Sequence, residues 1–123
     1  MKIILLIGAG SFLGGVARHL LGQWIQGRVA TTLPCGTLVV NVLGCLAIGL
    51  VLGWSLRHQP PVEWRLFLAT GFCGGFTTFS TFSNETLALL REGHAAAATT
   101  YVVASLLLGL LATWVGISVF RLF

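Results

Sequence analysis

Residues 71–84 carry the sequence GFCGGFTTFSTFSN, within an apolar segment long enough to enter a membrane. Three glycines weaken helical structure at the start of this stretch. Six hydroxyl or amide side chains follow within the eight residues 77–84, and phenylalanines recur at helical spacing at Phe76, Phe79 and Phe82. A helix that breaks inside a membrane frees backbone N–H and C=O groups, which persist there only where protein, an ion or a water-filled cavity satisfies them. The stretch therefore predicts an ion site at a broken helix.

The composition indicates an integral membrane protein with a single domain. Of the 123 residues, 56% are hydrophobic and only 8% are charged, whereas soluble domains carry about 25% charged residues. The formal charge of +4 lies at the segment ends, which indicates contact with lipid headgroups. No basic run or aromatic–basic patch supports a nucleic-acid partner.

Four apolar segments reach the roughly 20 residues that a membrane span needs. They are residues 3–24, 36–56, 64–90 and 95–120. The connections are short, and the third segment contains the broken stretch. The expected fold is an all-α integral membrane protein, a single four-helix transmembrane domain over residues 1–123 whose third helix is broken in mid-membrane.

Arg18 is a charged residue well inside the first span. Gly10, Gly14 and Gly22 recur with it at steps of four, so one helix face carries three small residues and one arginine. Small residues let another helix approach closely. An arginine within a span usually faces a bundle interior or water, so Arg18 is expected at a water-filled mouth. The alternative is that its side chain extends to the lipid headgroups.

Polar side chains are sparse in the second and fourth spans. Asn41 is the one strongly polar residue of the second span. Its amide either hydrogen-bonds a neighbouring helix or turns an N–H toward an anion path, and this span alone favours the packing contact. In the fourth span, Tyr101 and Ser105 share a helix face with Gly109. Packing contacts can satisfy both hydroxyls.

No catalytic constellation stands out, so the chain is not expected to be an enzyme. The three histidines lie near segment ends, and no carboxylate pairs with a histidine at metal-ligand spacing. The three cysteines, Cys35, Cys45 and Cys73, match no zinc or redox pattern. Cysteine inside an apolar segment acts as a small hydrophobic residue, which is the role expected here.

The charges give the chain almost no preferred orientation. With the N-terminus taken as cytoplasmic, four basic residues fall on one side and three on the other, Arg18 included. A small four-span protein without such a bias can insert both ways, and two opposed copies can pair across a two-fold axis in the membrane plane. The broken centres of their third spans then meet near the midplane, as inverted repeats do in transporters.

In these residues and motifs, the chain resembles the Fluc (CrcB) family of small fluoride channels over essentially its whole length. The most specific match is the run from Gly74 to Ser83, and the segment from Gly36 to Asn41 supports it. The resemblance implies an antiparallel, dual-topology homodimer in the bacterial inner membrane. It also implies two pores through which cytoplasmic fluoride leaves passively. A second copy, fluoride and membrane lipid are the implied partners.

The resemblance assigns roles to individual residues. Phe79 and Phe82 match paired phenylalanines whose electropositive ring edges face fluoride. The other matching pore residues are Asn41, Ser80, Thr81, Tyr101 and Ser105. Arg18 matches the arginine of an aqueous vestibule, and Glu85 matches an acidic residue near the pore end. Some members carry a further hydroxyl where this chain has Gly109, so the length of the hydroxyl track stays open.

A cation is implied at the break itself. Gly74 and Thr77 match residues whose main-chain carbonyls hold a central sodium ion. Two chains supply four such oxygens, which are the hard donors that a hard cation prefers. The implied sodium is structural and is not transported.

Two other functions fit the composition. A small dual-topology, proton-coupled multidrug exporter needs a carboxylate embedded in the membrane, but the first span has none and Glu85 lies at a polar end. A structural membrane subunit, whose polar residues only pack helices, would tolerate leucine at Phe79 and Phe82 without loss of function.

Overall fold

The computed structural model describes residues 1–123 and is helical throughout, without strands. The predicted all-α class is therefore confirmed. The helices are α1 (Lys2–Gln26), α2 (Cys35–His58), α3 (Val62–Arg65), a π-helical segment (Leu66–Cys73), α4 (Gly74–Phe76), α5 (Phe79–Arg91) and α6 (Ala95–Leu122). Three of them, α1, α2 and α6, are long and apolar enough to cross a membrane.

The region between α2 and α6 is a series of shorter helices. α3, the π-helical segment and α4 follow one another without a gap, and two extended residues then separate α4 from α5. Thr77 has φ −94° and ψ 157°, and Thr78 has φ −149° and ψ 119°. Both are β-branched, which favours extended backbone, and the preceding Gly74 and Gly75 add little helical propensity. The helix is interrupted at these two threonines.

The interruption divides this region between two packing partners. The π-helical segment and α4 pack on α1, whereas α5 packs on α6, which in turn packs extensively on α2. The buried cluster of the second group is Leu89, Ala98 and Tyr101, with Phe82 packed against it. Gly93, at φ 81°, forms the turn by which α5 folds back onto α6. As a result, the part of α5 that holds the predicted pore residues lies beside α6.

Small residues bring the helices into backbone contact. A Cβ on Gly10 of α1 would lie 2.5 Å from the carbonyl oxygen of Phe67 in the π-helical segment. Gly116 of α6 meets α2 in the same way, since a Cβ there would lie 2.6 Å from the Leu46 oxygen. Close approach of this kind lets helices associate in lipid, where no hydrophobic driving force acts between them.

Little of the chain is buried by its own fold. Only 15 of the 123 residues are buried, and large apolar side chains such as Leu110 and Trp114 of α6 are mostly exposed. Soluble monomers do not expose apolar surface on this scale. This surface therefore requires lipid, a partner chain or both.

We expect Gly10→Ala to lower the free energy of unfolding by about 1–3 kcal/mol, the usual cost of overpacking, because the new methyl meets the backbone of the π-helical segment. Gly8→Ala is the matched control, since it makes the same change in the same helix with nothing within 4 Å of the new Cβ. It should be neutral or slightly stabilising, because alanine favours helix. Unfolding titrations in detergent compare the two, and equal effects would contradict this packing.

Candidate functional site at the interrupted helix

Asn41 of α2 closes the interruption with two hydrogen bonds. Its Oδ1 accepts from the Thr78 backbone N–H at 2.8 Å, and its Nδ2 donates to the Thr78 carbonyl oxygen at 3.0 Å. The side-chain amide thus pairs with one residue as an adjacent β-strand would. An amide nitrogen carries two hydrogens, so one N–H of Asn41 remains. Asn41 therefore satisfies backbone groups that the interruption exposes and keeps one donor for another ligand.

The same interruption releases carbonyl groups from helical pairing, and those of Gly74 and Thr77 are among them. In a continuous helix, the N–H of residue 78 would donate to the Gly74 oxygen and that of residue 81 to the Thr77 oxygen. Instead, the Thr78 N–H donates to Asn41, and the Thr81 N–H donates to Thr78 Oγ1 at 3.2 Å. The two carbonyls predicted to bind sodium have thus lost their usual helical partners. Free carbonyl oxygens suit a hard cation, so these residues fit the implied ion.

Two cavities meet at Thr78, which lines both. The mouth cavity measures about 770 Å³ and is lined largely by polar residues, among them Arg18, Thr37, Thr81 and Glu85. Since liquid water occupies about 30 Å³ per molecule, this cavity has room for a hydrated ion. The central cavity measures about 400 Å³ and is more apolar. It includes Asn41, Gly74, Thr77, Phe79, Phe82 and Ser105.

Glu85 joins three helices beside the mouth cavity. Its Oε1 accepts from the Thr37 hydroxyl of α2 at 2.8 Å, and its Oε2 accepts from the Tyr101 hydroxyl of α6 at 2.9 Å. Tyr101 is only 1% exposed, and Glu85 is half-buried. A carboxyl group away from water is stable only when hydrogen bonds replace the lost hydration. Glu85 therefore fixes α5 against α2 and α6.

The predicted pore hydroxyls differ in how they are bonded. Ser105 Oγ is buried without a partner and its residue lines the central cavity. Thr81 Oγ1 accepts from Thr78 Oγ1 at 3.1 Å, which leaves its own hydrogen available. Tyr101 lines neither cavity and donates its hydroxyl to a carboxylate. Ser80 is exposed, lines neither cavity, and places its Oγ 3.3 Å from Thr78 Oγ1. Ser105 and Thr81 are thus the hydroxyls best placed to meet an anion.

Phe79 and Phe82 form a ring pair on α5. Their centroids lie 5.7 Å apart with the planes at 40°. Phe82 also packs on Tyr101, with 5.1 Å between centroids, whereas Phe79 is 79% exposed. A phenylalanine at the edge of an apolar cavity needs cover on its open side. The open side of the central cavity therefore requires lipid or a partner chain as cover.

Arg18 lines the mouth cavity, where its side chain is half-buried. The one ion pair of the protein joins Lys2 Nζ and Glu63 Oε1 at 3.7 Å, so Arg18 and Glu85 line the same cavity without pairing. An unpaired cation in a concave mouth raises the local concentration of anions.

The sequence did not single out Thr37, Thr78 or Gly44 as site residues. Helical spacing does place Thr37 and Gly44 on the same face as Asn41, but a shared face by itself assigns them no role. Thr78 caps α5 through Thr81 N–H, and threonine is a common capping residue. Gly44 accommodates the Thr77 side chain, since a Cβ there would collide with Thr77 Cγ2. No sequence signal separates this glycine from the other packing glycines.

Residues 5–117 match the family model described as CrcB-like protein, Camphor Resistance (CrcB). The chain belongs to the CrcB-like family. Relatives in this family include three proteins named fluoride-specific ion channel FluC. The protein of Thermus thermophilus is 49% identical over 91% of this chain and 88% of its own length. That of Pseudomonas fluorescens is 44% identical over 98% of both chains. That of Solibacter usitatus is 49% identical over 91% of this chain and 93% of its own.

Family membership and the three long apolar helices together make this CrcB-like chain a multi-pass membrane protein. The resemblance stated from the sequence is thereby confirmed. The roles of the individual site residues stay predictions.

We expect Thr37→Val to lower the free energy of unfolding by about 1.5–3 kcal/mol, the contribution of a hydrogen bond to a charged group, because it leaves Glu85 Oε1 without its donor. Thr99→Val is the matched control, since the Thr99 hydroxyl donates only to the Ala95 carbonyl of its own helix and the residue is exposed. Its effect should stay within about 0.5 kcal/mol. Denaturant titration in detergent measures both, and a Thr37→Val variant as stable as the control would remove the proposed bridge.

Proposed function

We propose that this CrcB-like chain forms a passive, fluoride-selective channel through which cytoplasmic fluoride leaves the cell, and that it is not an enzyme. The observation that carries the proposal is the central cavity. There, amide and hydroxyl donors of Asn41 and Ser105 stand beside two phenylalanine rings, without any lysine or arginine. Whole-length similarity to relatives named fluoride-specific ion channels supports it.

The chemistry of this cavity suits fluoride. The ion is small and strongly hydrated, so a pore must replace its lost water with several contacts and still release it. Neutral donors and the electropositive edges of Phe79 and Phe82 supply such contacts without a fixed cation that would trap the ion. A larger halide gains less from closely spaced donors, which favours fluoride.

The two cavities support a route for the ion. Fluoride enters the mouth cavity, where Arg18 concentrates anions. It passes the Thr81 hydroxyl and crosses at Thr78, the residue that lines both cavities. In the central cavity it meets Ser105 and the remaining N–H of Asn41. The carboxylate of Glu85 repels anions less where its two oxygens are occupied by hydroxyl donors.

The functional unit is an antiparallel, dual-topology homodimer with two pores. Each chain contributes four spans as one transmembrane domain, with the interruption near the membrane midplane. Two observations support this arrangement. Phe79 is 79% exposed at an open cavity, and the basic residues give almost no topological bias. A second copy in the opposite orientation covers the first chain's cavity while its own is covered in return.

A structural sodium ion belongs at the centre of this dimer. The Gly74 and Thr77 carbonyls of both chains would hold it, and they fit because their usual helical donors are bound elsewhere. When bound, the ion supplies positive charge that neutralises the carbonyl dipoles and joins the two chains. The ion is not transported.

Fluoride efflux from liposomes tests the function. Purified protein should release fluoride from loaded vesicles with little release of chloride, and Phe82→Ile should slow fluoride release several-fold, because an aromatic contact contributes about 0.5–1.5 kcal/mol. Phe12→Ile is the matched control, since Phe12 is 70% exposed on α1 and lines neither cavity. A fluoride electrode follows the efflux. Absent fluoride release, or equal release of chloride, would reject the channel, and unchanged efflux in Phe82→Ile would reject the ring-edge contact.

Labelling of single cysteines tests the orientation. In a background with Cys35→Ser, Cys45→Ala and Cys73→Ala, Ala95→Cys and Phe123→Cys place thiols at opposite ends of α6. Both replacements leave the charge unchanged. A membrane-impermeant thiol reagent added to intact cells should label about half of the chains at each position, because near-zero charge bias allows both orientations. Full labelling at one position and none at the other would establish a single orientation.

A further inference from the structure

The hydrogen bonds of Asn41 point to a task beyond contact with the anion. We propose that Asn41 is a positioning residue for the cation site: its amide holds Thr78 in extended backbone and so keeps the Gly74 carbonyl free to bind sodium. This inference rests on the proposed function, because the sodium ion and the second chain belong to it.

Two carbonyl-type acceptors compete for one donor, the Thr78 N–H. The Thr78 N–H has two alternative acceptors: Asn41 Oδ1, which it binds at 2.8 Å, and the Gly74 carbonyl, which it would bind if Thr77 and Thr78 turned from extended to helical backbone. The second bond, from Asn41 Nδ2 to the Thr78 carbonyl at 3.0 Å, fixes the same peptide from its other end. Removing the amide would return the donor to Gly74 and consume the oxygen that the cation needs.

Neighbouring contacts hold Thr77 so that only its carbonyl stays available. Its backbone N–H and its Oγ1 both donate to the Cys73 carbonyl, each at 3.0 Å. Its methyl group rests against Gly44 on α2. The Thr81 N–H, which could otherwise bind the Thr77 oxygen, caps on Thr78 Oγ1 at 3.2 Å. The pairing of Asn41 with Thr78 is the step that sets this arrangement, since the cap requires Thr78 to be extended.

This assignment separates Asn41 from residues that only touch the anion. A hydroxyl such as that of Ser105, which has no partner in the protein, can affect fluoride flux but has no means of altering the carbonyls. Asn41 uses its oxygen and one N–H on the backbone, and only its second N–H is left for fluoride. Its substitution should therefore change sodium affinity as well as flux.

The test is a sodium titration of dimer stability in detergent, with N-methyl-D-glucamine replacing sodium at constant ionic strength. Asn41→Leu keeps the side-chain volume and removes both hydrogen bonds, so it should raise the sodium concentration at half-effect by about tenfold or more, the effect of losing roughly one such bond. Ser105→Ala is the control from the same cavity. It should slow fluoride efflux and leave the sodium midpoint unchanged. A wild-type midpoint in Asn41→Leu would overturn the proposal.

Two further measurements test the proposal without a transport assay. Backbone carbon chemical shifts of Thr77 and Thr78 should be helical in Asn41→Leu and extended in the wild type and in Ser105→Ala, where both residues are extended. Asn41→Asp keeps an acceptor for the Thr78 N–H, so it should retain the extended shifts and a sodium response. Loss of both in Asn41→Asp would overturn the proposal. A wild-type protein that conducts fluoride without any sodium response would refute this inference and leave the channel intact, whereas a sodium response without fluoride flux would refute the channel alone.

Discussion

Backbone groups that leave helical pairing inside a membrane must find other partners, and this constraint governs the structure around Thr77 and Thr78. Two side chains satisfy this constraint. Asn41 of α2 binds both backbone groups of Thr78, and the Thr78 hydroxyl caps the first turn of α5. The backbone groups that remain unpaired are a few carbonyls and N–H donors around Thr77 and Thr78. In the proposed channel, the ion chemistry uses this remainder, since helix ends leave carbonyl and N–H groups without helical partners.

The packing of the chain follows from the same interruption. A continuous third helix would lie against one neighbour, but the two extended residues let its first half pack on α1 and its second half on α6. Glycines make the first contact so close that backbone meets backbone, and Glu85 joins α5 to α2 and α6 in the second. The division opens the central cavity between the halves. Phe79 lies at its exposed edge, and the proposed pairing of two chains rests on this exposure.

The parts that the sequence predicts are those that depend on local composition. The all-helical class, three of the four expected spans and the family follow from hydropathy and from the run between Gly74 and Ser83. Local composition does not predict the hydrogen-bond partner of Asn41. That partner lies 37 positions further along the chain, and the contact depends on how α2 packs against the interruption. The Tyr101 hydroxyl is similar: its position on α6 marks it as a polar residue, but only the packing of α5 directs it to Glu85. The dimer and its cation need a second chain and stay predictions.

In the proposed channel, the interrupted helix also explains how one segment would serve ions of opposite sign. The chain up to Phe76 ends with carbonyl groups that carry the negative end of a helix dipole, and α5 begins at Phe79 with the positive end. In a continuous helix these partial charges cancel within hydrogen bonds. Separating them by two extended residues leaves carbonyls suited to a cation on one side and a positive helix end suited to an anion on the other. A protein of only 123 residues can thus provide both environments without a buried charged side chain, because the backbone itself supplies the charge.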